Sequence, residues 1–256
     1  MNAAGFFLGG VGLRGLLEVL GLLALLGTVA GWYGEYAWWL DAWVHFKVGY
    51  VAIFCLVALF QALARRWMVA GAAVALAAWN LVPLWPYASS GAGRRDAEIP
   101  SGSVRAMMVN VNTFYGDASR VAGAIRDEGP DILLLLEVDR RWLAKLGPEL
   151  EGFAHRVIEP REDNFGIALF SKVPWEAAGV VFIGEANLPS VQARLAIGGE
   201  GVWVLGTHAP PPLGHRLWAL RNDQLAELAR HARAIEGPLL VLGDLNATPW
   251  SYHMGR

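Results

Sequence analysis

Five polar residues stand where apolar runs stop. Asn110 closes the run that begins at Val104, Glu137 ends Leu133-Leu-Leu-Leu-Glu137, His208 follows Val202 to Thr207, and Asp244 and Asn246 follow Leu239 to Leu242. A lone carboxylate beside four leucines is costly to bury unless it is paired or bound to a cation. Two carboxylates, two amides and one imidazole, with no thiol among them, suit a hard ion such as Mg²⁺ or Mn²⁺ better than zinc. Such an ion polarises a phosphoryl oxygen and lowers the pKa of bound water, so this set predicts phosphoester hydrolysis.

The elements that must position these residues alternate between strand and helix. The pattern predicts strands over 104–111 and 132–138, with a helix over 118–128 between them that Gly129-Pro130 ends. A short helix follows over 141–146, and four further strands are predicted over 165–170, 176–183, 191–197 and 202–207. The longest amphipathic helix covers 217–235 and the last strand 239–242. Apolar faces this extensive predict a layered α/β architecture, sheet on sheet with helices outside. The sequence shows no internal repeat.

In order and spacing, Asn110-Val111, Pro130-Asp-Ile-Leu-Leu-Leu-Leu-Glu137, Asn164-Phe-Gly-Ile-Ala-Leu-Phe-Ser171, Thr207-His208 and Gly243-Asp-Leu-Asn246 resemble the endonuclease/exonuclease/phosphatase superfamily. The resemblance is continuous from about Val104 to Ser251 and rests on the order of the fragments, each weak alone. It implies a four-layered α/β sandwich of the DNase I-like kind, with a metal-dependent site at the strand ends. On this chain it implies that Glu137 ligates Mg²⁺ and that Asn110 helps to hold the metal. His208 would contact the scissile phosphate and protonate the leaving oxygen. Asp244 would orient or deprotonate the attacking water, and Asn246 would position phosphate or water. Asn112 is the alternative to Asn110 at the metal. The superfamily pattern closes with a later Asp and a Ser-Asp-His type motif. The sequence runs to Tyr252-His253-Met-Gly-Arg256 without them, so the expectation is a domain incomplete at its C-terminal side.

Each residue also has a plainer reading. Asp244-Leu-Asn246 reads as an Asx turn closing a strand, Glu137 as a strand-end carboxylate reaching water, and His208 as a loop histidine before Pro210-Pro-Pro212. Asp163 and Asn164 read as the turn before the next strand; His155, His215, His231 and Arg140-Arg141 read as solvated surface. Glu159, Glu162 and Asp163 form an acidic stretch with no role assigned.

Composition places the rest of the chain. Of 256 residues 55% are hydrophobic, above the roughly 45–50% of an ordinary soluble domain. The excess lies in the first 87 residues, whose charged side chains are Arg14, Glu18, Glu35, Asp41, Lys47, Arg65 and Arg66. Three apolar stretches, 13–32, 43–63 and 67–86, each approach the ~20 residues that cross a bilayer. Trp and Tyr cluster at their ends, as interfacial rings do. Arg65-Arg66 between the second and third stretches places the N-terminus inside and the later domain outside the cytoplasm, against the weaker opposite signal of Arg94-Arg95. Glu18 is expected to pair with Arg14, and Asp41, His45 and Lys47 to reach water at an interface. Cys55, the single cysteine, lies in the second stretch, so thiol chemistry and disulfides are excluded from the later domain.

Residues 88–103, rich in Gly and Ser, read as a linker between a membrane region, 1–87, and a domain over 104–256. That domain carries fifteen basic against eighteen acidic residues. It therefore offers no evident basic track for a nucleic-acid backbone. The expected function is a membrane-anchored, metal-dependent phosphoesterase acting on a lipid headgroup or small phosphoester near the bilayer. The alternatives are a non-catalytic tethered scaffold and a nuclease acting outside the cytoplasm. Nothing in the sequence points to a protein partner.

Overall fold

The computed structural model describes residues 12–91 and 102–254; Arg94, Arg95 and most of the expected linker lie outside them. The chain divides into two compact units, one of residues 1–97 with 247–256, the other of residues 98–246.

The first unit is helical: α1 Leu13–Trp32, α2 Trp38–Val44, α3 Lys47–Leu63, α4 Trp67–Leu81, a 3₁₀ turn Val82–Leu84 and α5 Trp85–Gly91. Among the described residues two stretches qualify as membrane spans by length and composition, Arg14–Trp32 and Trp67–Ala88. The second expected span is broken: α2 and α3 meet at 58° across His45-Phe46, and together they would make a third. Ala24, Tyr50, Phe54 and Ala77 form the contact core of α1, α3 and α4. Arg14 pairs with Glu18 at 2.9 Å, as expected one turn apart. Asp41 and Lys47 depart from expectation, being buried at 1% and 8% exposure. Asp41 meets the segment after Asn246, where its Oδ1 accepts from Ser251 Oγ at 3.2 Å. The same segment donates Trp250 Nε1 to the Val44 carbonyl at 3.0 Å and sets Thr248 Oγ1 2.9 Å from His45 Nδ1.

The second unit is built as the alternation predicts. It runs β1 Ala106–Asn110, α6 Ala118–Glu128, β2 Ile132–Leu136, α7 Arg140–Lys145, α8 Gly147–Leu150, β3 His155–Glu159, β4 Ile167–Ser171, β5 Trp175–Phe182, β6 Pro189–Ile197, β7 Glu200–His208, α9 His215–Ala234 and β8 Leu239–Asp244. Asp117 caps α6, accepting from the N–H groups of Ser119 and Arg120, and left-handed Gly129 ends it. Two four-stranded sheets result, ordered β1-β2-β4-β3 and β5-β6-β7-β8. Strands β1 and β2 are parallel, as are β7 and β8, while the other neighbours are antiparallel.

The sheets pack face to face through Leu134, Leu136, Ile167, Leu169, Val191, Ala193, Leu195 and Val204. On the outer face of the first sheet, Leu133, Leu135 and Phe170 pack with Ile125, Trp142, Leu146 and Leu150 of the α6–α8 layer. On the outer face of the second, Leu205 meets Leu228 of α9. The order is helix, sheet, sheet, helix, the expected sandwich. Strand β2 is 0–1% exposed throughout because it is interior to its sheet and covered on both faces.

One strand escapes the sequence reading. His155–Glu159 alternates half-buried and exposed residues along the edge of the first sheet. Its exposed positions are Arg156 and Ile158 and its half-buried ones His155, Val157 and Glu159, so polar and apolar residues fall on both faces and leave little apolar periodicity to read.

Candidate active site

The β1–β2 pair and the β7–β8 pair end side by side. The Asn110 amide joins them, with Nδ2 donating to Glu137 Oε1 at 2.8 Å and to Asp244 Oδ2 at 3.3 Å. Its Oδ1 accepts from the Asn112 N–H at 3.0 Å. Asn112 instead serves the loop, its Oδ1 accepting from the Tyr115 N–H at 3.1 Å. Of the two amides, Asn110 is the one between the carboxylates.

Glu137 follows the last residue of β2 with φ +60°. An L-residue with a large side chain pays roughly 1–2 kcal/mol in this region. Thr113 over-determines the conformation, with Oγ1 donating to the Glu137 carbonyl at 2.6 Å and its N–H meeting Oε2 at 3.4 Å. Asp244 is the last residue of β8, and its Oδ1 accepts from the Asn246 N–H at 3.0 Å, so the Asx turn read from the sequence is present. That turn does not exclude chemistry, because Oδ2 still faces the site. Gly243 is dictated by packing: a Cβ there would lie 2.1 Å from the Thr207 carbonyl oxygen across the β7–β8 pair. Any side chain would push the two strands, and so His208 and Asp244, apart.

His208 is 3% exposed, with Nε2 4.0 Å from Glu137 Oε1 and 3.4 Å from Asn246 Nδ2. Its ring tilts against Phe165 at 5.3 Å. Burial pushes its pKa down against the opposing pull of Asp244, Glu137 and the Asn164 backbone, so the ring is held neutral more readily than a free imidazole. Asn246, at φ +47°, donates Nδ2 to the Ala209 carbonyl at 2.8 Å. All five residues singled out in the sequence therefore meet.

Three contributors were not singled out for such a part. Arg221 on α9 is fully buried, and its guanidinium donates to the Asn246 carbonyl at 2.9 Å. Gln224, one turn on and equally buried, donates Nε2 to Thr207 Oγ1 at 3.0 Å. Thr207 Oγ1 is also 2.7 Å from Ser190 Oγ. These side chains fix the ends of β7 and β8 from behind. The legible signal was two polar residues, Arg221 and Gln224, three apart on the face of α9 that also carries Trp218, Leu225 and Leu228 to the interior.

The rim of the site belongs to the β3–β4 turn. Asp163 and Asn164 form that turn, and both also line a cavity of about 220 Å³ with Glu137, Phe165, His208, Pro211, Leu217, Asp244 and Asn246. The Arg161 guanidinium holds the Asp163 carboxyl below its ordinary pKa. Gly166 is required here, because a Cβ would meet the Val138 carbonyl oxygen at 1.8 Å.

Two carboxylates that share the Asn110 Nδ2 donor offer hard oxygen ligands, and this chemistry fits a divalent cation such as Mg²⁺. Among the described residues, no three His, Cys, Asp or Glu side chains are clustered as a closed metal cage. A cation here would take few protein ligands and leave room for water and substrate, which is the habit of Mg²⁺.

Comparison with known proteins agrees with the strand-end motifs. The Endonuclease/Exonuclease/phosphatase family matches residues 109–256. No curated protein matches the chain. Among solved structures, sphingomyelinase C from Streptomyces griseocarneus is 20% identical, covering 61% of this chain and 68% of its own with a TM-score of 0.49. Truncated Caenorhabditis elegans TDP2 is 22% identical, covering 57% and 63%, with a TM-score of 0.47. An endonuclease/exonuclease/phosphatase from Beutenbergia cavernae is 24% identical, covering 56% and 47%, with a TM-score of 0.45. The chain thus spans about half to two thirds of the length of these proteins.

Proposed function

Because the chain belongs to the endonuclease/exonuclease/phosphatase family, whose members hydrolyse phosphoester bonds, we propose that it is a membrane-anchored, Mg²⁺- or Mn²⁺-dependent phosphoesterase. The observation that carries this reading is the meeting of Glu137, His208, Asp244 and Asn246 around one cavity, with Asn110 bonded to both carboxylates, from four strand ends far apart in sequence.

Glu137, with Asn110 beside it, would hold the cation, which supplies charge neutralisation at a phosphoryl oxygen and a lowered pKa for water. Asp244 keeps Oδ2 on the site side while Oδ1 is engaged by the Asn246 N–H, and so presents one oxygen to orient and deprotonate water. Asn246 Nδ2 lies between the Ala209 carbonyl and His208 Nε2, placed to donate to a phosphate oxygen. His208 is kept neutral by burial, and an entering phosphate would favour its protonated form and prepare it to give a proton to the leaving oxygen. Phe165, Pro211 and Leu217 give the cavity its apolar lining.

The two apolar helices, or three with the bent pair, support anchoring. The Arg65-Arg66 pair supports placing the catalytic domain outside the cytoplasm. A net excess of acidic residues in the domain favours a lipid headgroup or small phosphoester over nucleic acid. Titration of the full chain with Mn²⁺, followed by electron paramagnetic resonance, tests the metal assignment. Glu137→Gln is expected to lose the tight site, and equal binding by both proteins would overturn it.

A further inference from the structure

Among the described residues of the second unit four large apolar side chains are more than half exposed: Tyr115 at 89%, Leu213 at 75%, Phe114 at 62% and Phe182 at 56%. Their places in the topology coincide. Phe114 and Tyr115 lie on the loop that leaves β1 at Asn110, and Leu213 on the loop that leaves β7 at His208. Phe182 ends β5, which pairs Phe182 with Pro189 at the start of β6, beside the end of β7. All four therefore emerge at the end of the sandwich where Asp244 and Glu137 sit. Among the described residues the opposite end shows no such set: its turns carry Gly129, Gly198-Gly199, and Glu236-Gly237-Pro238.

The mounts are stiff. The two aromatic rings pack edge to face at 6.5 Å, the Tyr115 N–H is held by Asn112 Oδ1, and Thr113 is bonded to Glu137. Leu213 follows Pro210-Pro-Pro212, which has little backbone freedom to lose. Large apolar side chains gathered in water at the end of the fold that carries the cavity mark a surface that is covered in use. The chain itself indicates the cover. It carries helices long and apolar enough to cross a membrane, and fourteen residues separate Gly91 of α5 from Ala106 of β1. Fourteen residues span at most about 50 Å, a tether that would keep the domain within reach of a bilayer holding the helices.

We infer that Phe114, Tyr115, Phe182 and Leu213 form an apolar rim that seats the mouth of the site on the lipid surface, and that the substrate is a lipid phosphoester reached at that interface. Aromatic rings with a polar tip favour this depth, and the Phe165, Pro211 and Leu217 side of the cavity continues the apolar rim inward. The substrate class rests on the phosphoesterase reading; the seating does not.

The test uses the full chain with Cys55→Ala, reconstituted in phosphatidylcholine vesicles containing phosphatidylcholine with a headgroup nitroxide. Tyr115→Cys and Leu213→Cys, each labelled with bimane, are expected to be quenched several-fold more strongly than Glu236→Cys at the opposite end. Equal quenching at 115 and 236 would overturn the seating, as would shielding of position 115 that rises with protein density and not with nitroxide lipid, which would assign the rim to a second copy. This readout needs no turnover, so an inactive protein would count against the phosphoesterase reading alone. In an active protein, Tyr115→Ser is expected to slow a vesicle-borne lipid phosphodiester several-fold while leaving bis-p-nitrophenyl phosphate hydrolysis unchanged. Equal loss on both substrates would overturn the assignment of the substrate class.

Discussion

The two ends of the sandwich solve the same geometric problem with different residues. At the end away from the site the left-handed backbone positions are glycines: Gly102 before β1, Gly129 before β2, Gly198-Gly199 between β6 and β7, and Gly237 before β8. At the site end they are Asn112, Glu137, Asn164, Asn187 and Asn246, joined by Gly184 and Gly214. Glycine turns a chain without strain. A side chain in the same conformation stores strain, which persists only where surrounding bonds over-determine it. Thr113 does this for Glu137, and Arg221 with the Ala209 carbonyl does it for Asn246. At the site end Glu137 and Asn246 also contribute side chains that the turn alone does not need, so there the backbone conformation is tied to the chemistry.

The largest effect that would sharpen this contrast is on turnover. Glu137→Gln or Asp244→Asn is expected to reduce metal-dependent phosphodiester hydrolysis by roughly 10²–10⁴-fold without lowering the melting temperature. Both changes remove one of two nearby carboxylates whose repulsion opposes folding when no cation is bound. A melting temperature that fell with activity would make these residues structural supports and erase the distinction between the ends. Gly243→Ala is expected to lose both properties together, costing about 1–3 kcal/mol in urea unfolding, because the added methyl must displace the Thr207 carbonyl.

Smaller effects probe the supports. Arg221→Met should cost about 1.5–3 kcal/mol, the worth of a charged hydrogen bond, and also slow turnover, since the Asn246 carbonyl loses its buried donor. Unfolding and kinetics measured on the same preparation check both. Asp139 caps α7 through the Trp142 N–H, so Asp139→Ala should cost about 0.5–2 kcal/mol. Burial raises the Asp139 pKa, but the Trp142 N–H and the Arg141 guanidinium outweigh it and the net shift is downward. A carboxyl lowered in the folded state stabilises above its unfolded pKa of about 3.9, and this stability disappears as pH falls through the folded value. The difference between wild type and Asp139→Ala in urea unfolding should therefore shrink below about pH 4.

Much of this was legible in the sequence because the apolar runs of the interior strands are nearly uninterrupted. Leu133 to Leu136 is buried on both faces, so burial and periodicity coincide, and the polar residue that ends such a run stands out. The edge strand His155–Glu159 was not legible, since apolar Val157 and Ile158 fall on opposite faces, each beside a charged residue, and no alternation shows. Arg221 and Gln224 were passed over because a buried guanidinium on an amphipathic helix looks like its solvated face until the partner, a backbone carbonyl twenty-five positions on, is known. The break at His45-Phe46 carries no Pro or Gly to announce it. Burial of Asp41 depends on Ser251, more than two hundred residues away.

The central claim is that the strand-end carboxylates form a working metal-dependent hydrolytic site. It is tested most directly by hydrolysis of bis-p-nitrophenyl phosphate by the full 256-residue chain with Mg²⁺ or Mn²⁺, with EDTA, and in Asp244→Ala. The expected result is turnover that EDTA abolishes and that Asp244→Ala loses. Turnover that survives both treatments, or no turnover by a folded protein that binds Mn²⁺, would contradict it.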